Sequence, residues 1–443
     1  MNNSEIKSDF KTMIKSEFEK LQNSLNGSSG SEINLARKDE FSSFFVKGIP
    51  TIKFENWKYT NLTFLNKLDL KVQDGSEDVS DINIKELYYS EVDSHKIVLV
   101  NGIYSKELSD IFEVDGLDLE IINTTSSTDL GKYSSYYGKL THNSGHPFAE
   151  INTALSKSVL VIEIKENKVV DKPIQIINIT DASKHGVFTN PRILVICKKS
   201  SSCKIIETNY TVGNNPGVKN IVKEIFLEEN ANLNYYKIQD DTEYSHTFDY
   251  TQAYQLRDSH FDEAAVSLNG KFIRNDLRTI LDSENIESHY YGIFIGSNSD
   301  LIDNHTFVDH AKPNCYSNEN YRGILFDKST GVFNGKIMVR PDAQKTNAYQ
   351  SNKNVLLSPY AVINTKPELE IYADDVKCSH GATSGALDEN SKFYLQTRGI
   401  GEKQAEILLL NAFAAEVIGE IKIEKLRNLV LSRIEDKLNM VYN

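Results

Sequence analysis

From Ser158 onward the chain repeats one kind of phrase: SVLVIEI (Ser158–Ile164), PIQIINI (Pro173–Ile179), RILVICK (Arg192–Lys198), CKIIETNY (Cys203–Tyr210) and IFLEE (Ile225–Glu229). Each run is short, rich in Ile, Val, Tyr, Phe and Thr, and bounded by polar turns. None keeps a 3.6-residue period, so the pattern reads as strand and not helix. This texture begins near Ser156 and persists to about residue 380. Aligned on the turns KENKVVDKP, KKSSSC, EENANL, RDSHF, DSENI, GSNSDL and KSTGV, the runs restart at Pro173, Cys203, Leu233, Phe261, Ile286, Leu301 and Val332. The intervals are 30, 30, 28, 25, 15 and 31 residues, a repeat of about 30 with one half-step. Strand–turn–strand units at this period, with no helices between them, predict a β-helix. The alternative is an antiparallel sandwich whose turns fall at this spacing by chance.

Outward from the strands the chain changes character. Residues 4–25 carry Ile6, Phe10, Met13, Ile14, Phe18, Leu21 and Leu25 on one helical stripe. Asn26 to Ser31 reads as a flexible break, and residues 33–46 as a second helix stopped at Gly48 and Pro50. Beyond it, Ile97 to Val100 is a strand, while Asp74–Asp81 and Ser126–Ser144 are loops. Residues 402–440 are helical again. Ala405, Leu408, Leu409, Ala412, Ala415 and Ile418 form one stripe, Gly419 breaks it, and Ile423, Leu426, Val430, Ile434 and Leu438 form the next. These helices are expected to cap the open end of the solenoid, since a bare strand edge invites aggregation; presenting a face to a partner is the other option. The expected organisation is an N-terminal helical or mixed α/β region over 1–150, a β-helix core over 151–385 and a C-terminal helical domain over 386–443.

Composition narrows the function. Of 443 residues, 40% are hydrophobic and 25% charged, which excludes a disordered tail or a disulfide-stapled mini-domain. Lys and Arg number 49 against 62 Asp and Glu, a net charge of −13. That balance argues against nucleic acid and against an anionic membrane surface, both of which call for clustered positive charge. Four cysteines, Cys197, Cys203, Cys315 and Cys378, are too few for a disulfide framework and fit a reducing compartment. The opening MNNSEIKSDFKTMIKSEFEK has no apolar core or small-residue cleavage site, so a cytoplasmic protein is expected. The most apolar stretch, Glu406 to Ile421, is too short and too charged to span a bilayer.

No phosphate-binding loop, HExxH helix, CxxC pair or GxSxG elbow occurs, and Gly399-Ile400-Gly401 reads as a turn before a helix. Two groupings of soft ligands remain. In Asp374–Thr383 an extended chain puts Cys378 and His380 on one face with Val376. A thiolate and an imidazole so placed can take part in holding a soft metal or an iron–sulfur cluster, but two ligands do not close a site. A buried thiol beside a hydrogen-bonded histidine is the structural alternative. In the second grouping, His305, His310 and Cys315, the alternation puts the two histidines on opposite faces, against joint ligation. Cys197 and Cys203 sit among apolar residues and read as core.

At Asp374–Thr383 the sequence also stops being generic. GVFNGKIMVRPDAQKTNAYQSNKNVLLS (Gly331–Ser358), TKPELEIYADDVKCSHGAT (Thr365–Thr383) and FYLQTRGI (Phe393–Ile400) closely resemble the SufB/SufD family of iron–sulfur cluster assembly proteins. So do ENWKYTNL (Glu55–Leu62), VNGIYSKELS (Val100–Ser109), PFAEINTAL (Pro147–Leu155) and DHAKPNCYSNENYRGIL (Asp309–Leu325). Within the family the chain is similar to the SufD branch. NVLLSPYAV (Asn354–Val362) lacks the cluster-associated cysteine of SufB, and Gly381 replaces the glutamate of its H-E-A-T segment. Smaller departures are Ser384, where a β-branched residue is expected, and Arg322, where lysine is usual.

The resemblance implies a right-handed parallel β-helix between helical N- and C-terminal regions. It implies a non-catalytic scaffold subunit that pairs with SufB through the β-helices, with homodimerisation in isolation as a further possibility. The C-terminal helices would dock the ATPase SufC at Arg398, Gly399, Ala405, Leu408, Leu409 and Ala412, and ATP would be bound by SufC and not by this chain. It implies a transient iron–sulfur cluster shared with SufB, for which His380 and Cys378 are the candidate iron or cluster ligands. The rival readings are a SufB-like homodimeric scaffold, a passive solenoid without metal, and a secreted polysaccharide-active β-helix enzyme, which would carry an export signal and a groove of acidic residues.

Overall fold

The computed structural model describes residues 9–25, 31–73, 82–111, 113–126 and 130–442. The expected break at 26–30, the loop at 74–81 and Ile6 lie outside them. Helices α1 (Phe10–Ser24), α2 (Glu32–Lys47) and α3 (Pro147–Leu155) form the N-terminal region with short strands β1 (Leu70–Val72), β2 (His95–Val100), β3 (Ile103–Tyr104) and β4 (Leu117–Asn123). Asp9 and Ser31 cap α1 and α2, each accepting a hydrogen bond from a first-turn amide. The α1 stripe is buried as expected through Phe10, Ile14, Phe18 and Leu21.

The core is a parallel β-solenoid. Its strands are β5 (Ser158–Ile164), β6 (Val169–Asp181), β7 (Gly186–Thr189), β8 (Arg192–Cys197), β9 (Ser202–Val212), β10 (Gly217–Leu227), β11 (Asn232–Asp240), β12 (Ser245–Gln255), β13 (His260–Asn269) and β14 (Phe272–Leu281). They continue with β15 (Glu287–Gly296), β16 (Leu301–His310), β17 (Tyr316–Leu325), β18 (Thr330–Val339), β19 (Asn347–Leu356), β20 (Val362–Ile371) and β21 (Lys377–Gly385). From β9 onward, odd strands stack in one sheet and even strands in the other, so each coil contributes one strand to each.

The half-step in the sequence repeat is this alternation. Cys203, Leu233 and Phe261 are direct partners in the odd sheet, whereas Leu301 and Val332 lie in the even one. The turns repeat more faithfully than the strands. Asn167, Ser200, Asn230, Asp258, Asn285, Asn314 and Lys345 all have positive φ between 55° and 61°, each two residues before a strand of one sheet, β6 and then the odd strands from β9. Asn and Asp tolerate this left-handed conformation best, which is why the turns read as polar. Backbone bonds run on around the corner, as from Ser200 N to Glu229 O (2.9 Å) and Asn314 N to Gln344 O (2.9 Å).

The two terminal regions cover the two outer faces. Phe188, Val218, Phe248 and Phe272 on the even sheet pack with Phe10, Ile14, Trp57 and Phe148. Arg274 fixes this lid: it ion-pairs with Asp276 (2.8 Å) and Asp303 (2.6 Å) and stacks on Trp57 at 3.7 Å. Thr60 donates to the same Asp303. The C-terminal helices α4 (Glu389–Thr397), α5 (Glu402–Ile418) and α6 (Glu424–Tyr442) do not cap the open end as expected. Instead α5 and α6 lie across the outer face of the odd sheet, where Ile206, Tyr236, Val266, Ile293 and Ile324 need cover. Arg322 donates to Phe413 O (3.1 Å) and pairs with Glu416, and Arg433 pairs with Asp240 at 2.7 Å. The inner face of α5 is Ala405, Ile407, Leu410, Ala414, Val417 and Ile418, so Leu408, Ala412 and Ala415 of the expected stripe point outward. The α6 stripe holds through Leu426, Val430, Ile434 and Leu438.

Between the sheets the interior is largely apolar, and its charged members form a chain of buried ions. Lys223 reaches Glu207 (2.7 Å) and Asp249 (2.5 Å), and Lys237 reaches Asp249 (3.2 Å) and Glu263 (3.1 Å). Lys223–Glu207 and Lys237–Asp249 cross from one sheet to the other, while Lys223–Asp249 and Lys237–Glu263 join successive coils of one sheet. Lys223→Met would leave buried Glu207 hydrogen-bonded to the Tyr235 hydroxyl but without its cation, and buried Asp249 with Lys237 as its one remaining cation. We expect a loss of about 3–5 kcal/mol, the usual cost of breaking a buried pair, read as a fall in the urea midpoint at unchanged slope.

Candidate functional site at the open end

A strand edge must be paired, covered or left bare. β20 pairs only with β18 and β21 only with β19, so the last coil leaves two rows of backbone donors and acceptors unpaired. At the other end the short antiparallel pairs β2–β3 and β4–β5 finish the sheets. The last coil also exposes apolar side chains: Tyr360 (68%), Tyr372 (62%), Val362 and Ile371. A Cβ added at Gly381 or Gly385 would meet nothing within 4 Å.

Both sequence candidates lie on this coil. Cys378 stands in register with Ala348 and His380 with Gln350. Those rows are interior further back, since Ala348 and Gln350 are buried, so Cys378 and His380 share the inward face of a coil that has no successor. Cys378 is half-buried against the core, and this burial pushes its thiol above the usual range, offset in part by the Ala348 amide. The thiol is therefore protonated at neutral pH unless a metal displaces the proton. The His380 side chain is exposed, and no hydrogen bond or ion pair holds it among the described residues. Among those residues no group of three or more His, Cys, Asp or Glu side chains gathers to hold a metal ion. One thiol and one imidazole lie on one face, open on the side where another coil would stack, and two such groups could supply only part of a ligand set.

The other soft ligands are structural. His310 is buried and bonded to Ser317 Oγ (2.8 Å), His305 faces outward to Asp303 (2.8 Å), and Cys315 donates to Ser283 O at 3.1 Å. Cys197 and Cys203 are buried 4.0 Å apart as free thiols.

Two concavities were not legible in the sequence. Asn411, Ala412, Ala415, Asn428, Leu431 and Ser432 line a shallow groove between α5 and α6 of about 540 Å³. Of the docking candidates, Leu408 and Ala412 are exposed on that side, Leu409 is half-buried, and Arg398 and Gly399 form the exposed α4–α5 turn, where Gly399 takes φ +86°. Ala405 is fully buried on the inner side of α5 and cannot touch a partner. The second concavity, about 420 Å³, lies between the N-terminal lid and the even sheet, floored by Arg274 and Arg278.

Residues 178–413 match the family model for the SufBD core domain of SUF-system FeS cluster assembly, and residues 9–176 match the SufBD N-terminal region. The chain belongs to the SufBD family. It is 30% identical over 393 residues to the iron–sulfur cluster assembly protein SufD of Escherichia coli K12, covering 88% of this chain and 90% of that one. An iron–sulfur cluster assembly SufBD family protein of Synechocystis sp. is 30% identical over 392 residues (86% and 85%), and SufD of Bacillus subtilis 25% identical over 397 (87% and 89%). This SufBD-family member is thus an iron–sulfur cluster assembly protein homologous to SufD. No helix among its described residues is long and apolar enough to cross a membrane.

The burial pattern fixes a labelling outcome. In the native chain Cys378 should react with iodoacetamide, read by mass spectrometry, while Cys197, Cys203 and Cys315 stay unmodified. Because its thiol is held above the ordinary range, the rate should still be climbing at pH values where a free thiol has levelled off.

Proposed function

We propose that this chain is a SufD-type scaffold subunit, non-catalytic by itself, whose open solenoid end pairs with a SufB-type partner to complete an iron–sulfur cluster-building site. The observation that carries the reading is the pairing of an incomplete Cys378–His380 ligand set with two unpaired strand edges on the same coil. A partner adding strands to those edges would bury Tyr360, Val362, Ile371 and Tyr372 and bring its own ligands to the inward face. The cluster is cargo at this site, held in transit. Imidazole holds it less firmly than a fourth thiolate and lets go on protonation, which suits a site that releases its product. A second copy of this chain is the competing occupant of the same edges.

The C-terminal helices supply the second contact. Leu408, Leu409, Ala412 and the Arg398–Gly399 turn, with the α5–α6 groove, offer a surface for a SufC-type ATPase; Ala405 supports it from beneath. ATP belongs to that partner. Movement of two ATPase subunits would then shear the solenoid interface and open the site.

Co-expression with SufB- and SufC-type partners tests the reading. The wild-type complex should carry visible cluster absorption after anaerobic reconstitution with iron and sulfide. His380→Ala should elute as the same complex with most of that absorption lost. No complex, or absorption that survives the substitution, sinks the reading. His380→Cys should slow transfer to an apo-acceptor, and unchanged or faster transfer would contradict the labile-imidazole argument. Leu408→Asp with Ala412→Asp should weaken ATPase binding at an unchanged melting temperature.

A further inference from the structure

Behind His380 the odd sheet stacks six inward side chains in unbroken register: Tyr235, Glu263, Tyr290, Glu319, Gln350 and His380. At ~4.8 Å per strand the column runs roughly 24 Å along the solenoid axis. None of its members is aliphatic, and every one can exchange or pass on a hydrogen-bonded proton, directly or through water. Four consecutive members have buried polar atoms that make no well-formed hydrogen bond: Glu263 Oε2, Tyr290 OH, Glu319 Oε1 and both amide atoms of Gln350, although Gln350 lies beside Glu319, and Ser288 and Thr279 beside Tyr290. Thr279 Oγ1 and Asn304 Nδ2 add two more from the facing sheet. Buried polar atoms in native proteins almost always find a partner, in protein or in ordered water. A contiguous row of them inside a polar column therefore marks places for water.

Glycines make room for the large side chains here. A Cβ on Gly335, across the lumen, would lie 2.1 Å from Gln350 Nε2, and one on Gly292 would lie 2.2 Å from the Tyr321 ring. At the inner end the column joins the buried ions, with Tyr235 OH donating to Glu207 (2.6 Å) and Lys237 pairing with Glu263 (3.1 Å).

We propose that this column, with the water it binds, is a proton relay between the buried carboxylate–lysine network and the cluster-building end of the solenoid, with Glu319 holding the travelling proton. The proposal rests on the reading of the open end given above. Thiols and hydrosulfide arrive protonated and enter a cluster as thiolate and sulfide, so protons must leave as metal–sulfur bonds form. In the relay step an S–H bond at the open end breaks, the proton crosses the water at Gln350, and an O–H bond forms on the Glu319 carboxylate. No electron is transferred.

The surroundings of Glu319 suit that role. Burial raises its carboxyl to about 7, against the Thr306 hydroxyl and the Gln350 amide, which favour the ionised form. The titratable groups facing it are Tyr290 and Tyr321, with Glu263 one coil beyond Tyr290. From the even sheet it meets uncharged Thr306 and Gly335, and His310 on β16 is held neutral, its imidazole lowered to about 3 by burial. The nearest ion pairs are thus those at the inner end of the column.

Infrared spectroscopy of the full chain alone gives the first test. Wild type should show a buried protonated carboxyl that titrates near pH 7 and exchanges in D2O, and Glu319→Gln should remove it. Gln350→Leu should keep the band but slow its deuterium exchange at least about tenfold, equivalent to ~1.4 kcal/mol of added barrier; Gln350→Met serves if the leucine variant does not fold. Absence of a titrating band, or equal exchange rates, overturns the relay. In the assembled complex, the initial rate of cluster formation should rise through pH 7 in wild type and become flat in Glu319→Gln; an unchanged profile also overturns it. A chain that passes the infrared test yet binds no partner overturns the assembly reading instead.

Discussion

Everything in this chain depends on parallel strands stacking without a slip from one coil to the next. With a side-chain period of two, a one-residue shift would exchange the inner and outer faces of every later coil. The register is pinned twice over. Left-handed turn residues such as Asn230, Asp258 and Asn285 sit two positions before successive odd strands, and backbone bonds tie each turn to the next. Between turns, ion pairs that cross the lumen, such as Lys223–Glu207 and Lys237–Asp249, tolerate no exchange of faces. A slip there would leave charges unpaired in a dry interior.

Stacking in register produces columns, and each column has its own chemistry. Phe188, Val218 and Phe272 on the outer even face call for the N-terminal lid; Ile293 and Ile324 on the outer odd face call for α5 and α6. Both terminal regions are thereby committed to faces. Neither remains to cover the edge of the last coil, and that is the physical reason the C-terminal helices do not cap it.

This commitment also sets what the sequence made legible. Strand identity, the repeat near 30 residues, the α1 and α6 stripes and the shared face of Cys378 and His380 follow from local pattern. The half-step at Leu301 concealed the sheet change, because a turn in either sheet is polar and short. The α5 stripe was misplaced by a fraction of a turn: Leu408 and Ile407 are both apolar, and only contact with the odd sheet decides which one is buried. The interior ions resisted reading altogether. Glu207, Lys223, Lys237, Asp249 and Glu263 alternate with apolar residues as solvent-facing charges would, and only the closing of two sheets around them reveals partners.

The same geometry explains why the candidate site sits at an end and not in a cleft. Inside the solenoid a thiol and an imidazole one step apart would be closed over by the next coil, as Ala348 and Gln350 are. On the last coil the identical positions keep the inward orientation, lose the cover, and gain two unpaired edges beside them. Backbone pairing across those edges is long and directional, so it fixes where a partner's side chains fall relative to His380 far better than side-chain contacts alone could. In the proposed assembly a ligand set split between two chains would be complete only while the edges are paired, and separating the edges would remove part of the ligands at once. Binding and release of the cargo would then be one equilibrium with the pairing of strands, so any force that parts the edges would also open the site.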